Sequence, residues 1–314
     1  MAFGTMSAVI RRGVTAWREF WFRPAPLLDL AVARVIVAAT ALRLNAGGLR
    51  FASAADAPPG LWEPIPLVGA LALGPPGLET LTWLARASHV ALYAALFGIF
   101  SPIAVGVAFV LQLWQEAYLQ CFGKVSHGTI PLLWAMAFLA CAPCGRVLSV
   151  DAISRRGRAA RAPTMLAGES TAARWPLELF FVALAAFYFQ AGFAKLSTGG
   201  LGWADGYTLQ YYLIDRDVPA GMWLATSVPL CRALSVLVLV FELTFPLAIV
   251  VRRLRPAYLL GGVLFHLGTH SLMHVRFDAV WMLYLVFVPW TRIVGMILDV
   301  VRRAPAPQPA APSA

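Results

Sequence analysis

The chain has 314 residues, of which 60% are hydrophobic and 13% charged. Soluble domains carry about 25% charged residues, so this chain lacks the polar surface that covers a soluble core, and it is far too apolar for intrinsic disorder. The net charge of +10 would suit nucleic acid or anionic lipid; with this much apolar residue, membrane lipid is the expected partner and nucleic acid is not. Four cysteines (Cys121, Cys141, Cys144 and Cys231) do not make a disulfide scaffold in a chain of this length.

Residues 1–26 read as a basic arm, with Arg11, Arg12, Arg18 and Arg23 before the first apolar run. Trp17, Glu19, Pro24 and Pro26 interrupt this stretch, which fits a cleavable signal peptide poorly, and the apolar run that follows is expected to stay as a membrane helix. Crossing a bilayer takes roughly 20 helical residues. Apolar runs near that length occupy about 27–45, 81–100, 102–120, 129–143, 176–196, 229–251, 256–275 and 279–298. The patch at 65–73 is too short and reads as re-entrant or interfacial. The runs are continuous rather than alternating, which excludes a strand barrel. The expectation is an all-α polytopic membrane protein of about eight spans. Its membrane domain covers 27–298, and residues 299–314 form a disordered Pro/Ala tail.

Basic residues orient such a protein, since they collect in cytoplasmic segments. With both termini inside, the arginine-rich arm, the loop 144–175, the turn 252–255 and the tail all face the cytoplasm. The outer segments then hold only Arg50, Lys124, Arg216 and Arg276, outnumbered by acids. This places the protein in a membrane of the bacterial inner, cytoplasmic type.

Ionisable groups within spans are expensive and usually functional. On this topology most of them gather in the outer leaflet. Lys195 ends the fifth run and His127 stands at the turn into the fourth. His89 lies in the outer half of the second, and Gln112, Gln115 and Glu116 end the third. His266, His270 and His274 fall at i, i+4 and i+8, a spacing that lines one helix face. Each has a plain structural reading. Lys195 can snorkel to the interface, and the histidines can bond neighbouring helices. No carboxylate or thiol accompanies the histidines on their helix, so no metal is expected. Glu242 lies nearer mid-depth and should be buried and paired, a histidine being one candidate partner. Alternatively the set is chemical. A lysine at an apolar boundary loses charge readily and serves as a base, nearby histidines can stabilise an oxyanion, and a quinol could arrive laterally from the lipid. Cys141-Ala142-Pro143-Cys144 falls on the cytoplasmic side, away from the oxidising compartment, and reads as packing rather than as a redox dithiol.

The stretch from Tyr188 to Tyr212 contains Ala191-Gly192-Phe193-Ala194-Lys195-Leu196 followed by Trp203 and Gly206. It resembles the corresponding segment of the vitamin K-dependent gamma-carboxylases and the related HTTM (horizontally transferred transmembrane) proteins. His127 with Ser149-Val150-Asp151, Phe241-Glu242-Leu243, Phe265-His266 and Phe20-Trp21-Phe22-Arg23-Pro24 before Arg34 agree with that family in order. The resemblance spans roughly residues 20–295. It implies Lys195 as the base on a reduced vitamin K or related quinol, with His127 as a hydrogen-bond donor. It also implies quinol epoxidation coupled to carboxylation at the outer face. His266, His270, Tyr188, Glu116 and Trp203 are the expected substrate-binding residues, and Glu242 and Asp151 the buried structural polar ones. The carboxylases continue into a large extramembrane domain. The Pro/Ala tail leads to the expectation that none follows here, and that any acceptor is a small molecule or peptide. The rival expectations are a non-catalytic scaffold or partner subunit with the same fold, and a proton-coupled transporter.

Overall fold

A computed structural model of the chain describes residues 2–46, 57–123, 127–156, 166 and 168–303. The described chain is almost wholly helical. Its helices are α1 (Ala2–Phe22), α2 (Leu27–Asn45), α3 (Pro66–Ala70), α4 (Leu78–Phe97), α5 (Ser101–Leu119), α6 (Ile130–Ala140), α7 (Val150–Arg156) and α8 (Arg174–Gly199). There follow α9 (Tyr207–Asp215), α10 (Pro219–Ala225), α11 (Val228–Thr244), α12 (Leu247–Val250), α13 (Arg255–Met273), α14 (Asp278–Leu283) and α15 (Trp290–Arg303). Two two-residue strands, β1 (Ala25–Pro26) and β2 (Glu169–Ser170), pair antiparallel and tie the entry of α2 to the approach to α8.

Among the described residues two helical stretches, Ser101–Leu119 and Thr171–Ala204, are long and apolar enough to cross a membrane by themselves, and up to four do so if each of two bent pairs is one span. The eight apolar runs in the sequence therefore do not become eight regular spanning helices, and the reasons are local. Helix α6 has 11 residues, a length of about 16 Å at 1.5 Å per residue, against a hydrocarbon core of about 30 Å. Helix α2 carries Asp29, Arg34 and Arg43 along its length. The run at 229–251 breaks after Thr244, where Pro246 lacks the amide hydrogen that would continue the ladder. The run at 279–298 breaks at Val288, held extended (ψ 133°) before Pro289. Beyond that break α15 turns by 64°, so residues 299–303 belong to a helix rather than to the tail. Residues 304–314 lie outside those described.

The interior has two main parts. One gathers α2, α4, α5, α6 and α14 around Leu28, Leu30, Val37, Leu92, Ala108 and Met136. The other is aromatic and joins α8 to α13 and α14 through Phe181, Tyr188, Phe245 and Tyr284. Arg34 lies inside the first, 1% exposed, donating to the carbonyls of Cys144 (2.9 Å) and Leu148 (2.5 Å). It thereby satisfies carbonyls that the α6–α7 connection leaves free of a ladder. Helices α2, α8 and α13 present their C-terminal ends, and α6 and α11 their N-terminal ends, on one end of the bundle. That end carries the groups of chemical interest.

Candidate functional site

Helix α8 approaches α11 closely at Gly192. A Cβ there would stand 2.9 Å from Glu242 Cβ and 3.2 Å from the Leu243 amide nitrogen, so only glycine permits this separation. Lys195, one turn further along the same face, reaches Glu242. Its Nζ donates to Oε1 at 2.5 Å and to Oε2 at 2.6 Å. The Glu242 side chain is 2% exposed and that of Lys195 23%. Trp203, in the short 3-10 helix Gly200–Ala204, holds its ring 5.1 Å from Nζ, an arrangement that favours a cation. Lys195 is therefore not a bare ammonium at the interface, and the partner of Glu242 is a lysine rather than a histidine.

The histidines belong to a second region. Tyr188 Oη lies 2.8 Å from His266 Nε2 and makes a very short hydrogen bond with Tyr284 Oη. All three side chains are buried. The row is possible because residue 262 is glycine: a Cβ there would sit 2.0 Å from the Tyr284 hydroxyl. Among the described residues, His266 Nδ1 has no hydrogen-bond partner. A cavity of about 220 Å³ opens beside it, lined by Arg43, His266, Leu267, His270, Arg276, Phe277 and Trp281. His270 is exposed. His274 ends α13 in the left-handed conformation (φ 51°), so the stripe of three histidines does not continue as one helix face, although the rings of His270 and His274 remain 6.4 Å apart. His127 is exposed and stands beside Phe187 (5.8 Å) and Phe277 (6.1 Å). Phe277 also packs 5.0 Å from His266.

The expected constellation thus separates into two. Lys195, Glu242 and Trp203 form one group; Tyr188, His266, His270 and His127 gather around Phe277 and Phe187. Phe187 precedes Lys195 by eight residues, about 12 Å along a helix axis. Glu116 is buried and accepts a hydrogen bond from Thr129 Oγ1 at 3.0 Å, which joins α5 to the start of α6. Asp151 lies at the far end of α6 from His127, so the two do not meet as the order of the motif suggests. Its carboxylate accepts from the amide nitrogens of Phe100 (2.9 Å) and Ser101 (2.8 Å) and from Ser101 Oγ (2.8 Å), capping α5. Burial pushes the Asp151 carboxyl up, but these hydrogen bonds and nearby Arg155 outweigh it and hold it below its ordinary value. Cys141 is exposed and Cys144 buried, both as free thiols, and the Cys144 thiol donates to the Leu139 carbonyl at 3.4 Å.

Arg43, Phe277, Trp281 and Tyr284 of the second region were not singled out in the sequence. Arg43 was readable as a charge inside an apolar run. Arg276 stood out only as one of the few basic residues of the outer segments, and Tyr284 and Trp281 gave no signal, because what matters is their meeting with α13.

A family model described as the HTTM domain matches residues 71–292. The chain belongs to the HTTM family. No curated protein and no solved structure matches it. The HTTM segment contains Lys195, Glu242 and Trp203 and also His127, Tyr188, His266, His270 and Tyr284. Arg43, on one wall of the cavity, precedes it, and most of α15 follows it. Membership together with the apolar helices establishes an HTTM protein of membrane-associated, nearly all-helical architecture.

Proposed function

We propose that this HTTM protein is a membrane enzyme of the vitamin K-dependent gamma-carboxylase type, in which Lys195 and Glu242 together serve as the base on a quinol or other lipid-soluble acid. The observation that carries the reading is the doubly hydrogen-bonded pair at 2.5 and 2.6 Å, with its lysine partly exposed. An ammonium paired with a carboxylate is a poor base as it stands. In a medium of low dielectric, however, the charged pair and the neutral pair are closer in energy than in water. Nζ passes one proton to Glu242 along the hydrogen bond already in place. The neutral amine then takes the proton of an acidic hydroxyl. Both residues end protonated, and the single positive charge of the pair balances the anion formed.

The residues present suit a phenolic group: an ammonium, a carboxylate and an indole face meet at a partly open edge. A bound quinol of the vitamin K type would supply the acidic hydroxyl and the reducing equivalents, with dioxygen as the oxidant that is reduced in the epoxidation. His127, about two helical turns away, serves as a hydrogen-bond donor to a more distant part of the same molecule. His266, His270 and Tyr188 border that part, and Glu116 holds the start of α6 near His127. We place the eight apolar runs, bent and short ones included, in a cytoplasmic-type membrane with both termini inside and this face outward. The arginine-rich segments support that orientation. The expected acceptor is a small molecule or peptide.

A scaffold without catalysis is the second reading, favoured by the same pair, since two carboxylate oxygens already neutralise Lys195. The test is purified protein in nanodiscs with reduced naphthoquinone, oxygen and bicarbonate, followed by chromatography for the epoxide. The enzyme reading expects product that Lys195→Ala lowers by 100-fold or more, while the variant still elutes as a folded species. Wild-type product no greater than that of Lys195→Ala rejects the enzyme and leaves the scaffold.

A further inference from the structure

The cavity beside His266 is not needed for the proposed base, and neither Lys195 nor Glu242 lines it. Two of its residues are arginines from separate elements, Arg43 at the end of α2 and Arg276 in the segment between α13 and α14. His266 and His270 are its other polar residues, and Leu267, Phe277 and Trp281 supply apolar walls. Among the side chains the structure describes, no carboxylate lines it and none forms an ion pair with either arginine. The Arg43 guanidinium stands 6.0 Å from the Trp281 ring centroid, which orders its planar head against an aromatic wall.

Helix ends explain part of this. Arg43 is in the last turn of α2 and His270 in the last turn of α13, where the partial negative charge of the C-terminus favours a cation. That accounts for each residue singly. It does not account for two exposed guanidinium groups on one concave surface that, among the side chains described, has no acid in its lining; an anion sharing the site would relieve what repulsion water leaves between them.

The hydrogen bonds give a second, independent indication. If Tyr284 donates to Tyr188 and Tyr188 donates to His266 Nε2, each hydroxyl spends its one proton and Nε2 is the acceptor. The imidazole proton then resides on Nδ1. Nδ1 is buried and has no partner among the described residues, and a buried polar group is normally satisfied. With this polarity the hydrogen-bonded row ends in an unmet donor on a residue of the cavity wall. Arginine forks and an N–H donor match an oxyanion with two or more oxygens. The volume, about 220 Å³, equals roughly seven waters at about 30 Å³ each, so it accommodates the oxyanion and a short stem against Phe277 and Trp281.

We propose that this cavity is a binding site for a carboxylate or phosphate group, held by Arg43 and Arg276 and completed by the histidines. The same chemistry is offered by a free small anion and by the headgroup of an anionic lipid. The proposal does not rest on Lys195 acting as a base, and its test reads no turnover.

Purified full-length protein in a neutral detergent is melted at constant ionic strength, with chloride replaced stepwise by inorganic phosphate or acetate. In a parallel arm, phosphatidylglycerol is titrated into phosphatidylcholine micelles. The expected result is a saturable rise in Tm in at least one arm. The Arg43→Gln, Arg276→Gln double variant should weaken the half-saturating concentration tenfold or more, and Arg292→Gln, in α15, should leave it unchanged. A response to free anions assigns the site to a soluble ligand; a response confined to phosphatidylglycerol assigns it to a lipid headgroup. No saturable rise in either arm overturns the proposal, as does a rise that the double variant retains. Should the double variant not fold, arginine modification by phenylglyoxal in the wild type decides. The bound anion must slow labelling of Arg43 and Arg276 at least fivefold relative to Arg292; equal labelling with and without the anion overturns the site.

Discussion

Two charged regions occupy the same end of the bundle and differ in how their charge is balanced. At Lys195 one ammonium meets one carboxylate at 2.5 and 2.6 Å, and the pair is neutral as a whole. At the cavity, two arginines and two histidines share a wall with no carboxylate among the described residues. The first region is complete in itself, and its chemistry depends on moving a proton within it. The second is complete only with a ligand. The comparison separates two properties that the positions of charged residues in the sequence run together: a buried charge with an internal partner is a candidate for proton transfer, and a convergent set without one is a candidate for binding.

The most severe way to break the first region is to remove the lysine. Lys195→Met strands a carboxylate that is 2% exposed, and unpairing a buried ion costs about 3 kcal/mol or more. Glu242→Gln strands an ammonium that is 23% exposed, so water relieves it and the loss should be about 1 kcal/mol. Denaturant unfolding in mixed micelles reads the difference; equal losses for the two variants would contradict the asymmetric burial. Next in size is Gly262→Ala, which drives a methyl into the Tyr284 hydroxyl and should cost about 2 kcal/mol by overpacking. It should displace the Tyr284–Tyr188–His266 row and weaken anion binding while leaving the Lys195–Glu242 pair in place. A loss of stability with unchanged anion affinity would detach the row from the cavity.

The smallest effect is expected at Asp151, at the opposite end, and it sharpens the comparison by leaving both regions alone. Its carboxyl is held below its ordinary value in the folded protein. A depressed carboxyl stabilises fully above its unfolded pKa, about 3.9, and this contribution fades as pH falls through the lower folded value. Asp151→Asn should therefore flatten the loss of stability on acidification below about pH 4, with no change in anion affinity. A pH profile identical to wild type would show that the α5 cap contributes nothing to acid sensitivity.

Much of the molecule was legible in the sequence. The apolar runs predict an all-helical membrane-associated chain because burying helix backbone in lipid leaves no other continuous solution. The Gly192–Lys195 segment, with Glu242 and Trp203, pointed to the HTTM family. Individual polar residues stood out for the same reason, as costly exceptions within apolar stretches. Their partners did not stand out. Lys195 and Glu242 are 47 residues apart, and nothing in either run says which face meets which. His127 and Asp151 are adjacent in the motif but lie at opposite ends of α6, because a helix that carries two residues in sequence order also holds them apart in space.

Sequence by itself determined that this chain is apolar, helical and basic, and which ionisable groups it places in unfavourable surroundings; these follow from residue type and period. Tertiary structure alone decided that Gly192 lets α8 touch α11 so that Lys195 is neutralised, and that Gly262 admits Tyr284 to the His266 row. It also decided that Arg43 and Arg276 face one cavity. The physical reason is that pairing is a property of distance between faces of different helices, and close packing at a glycine sets that distance over long intervals of chain.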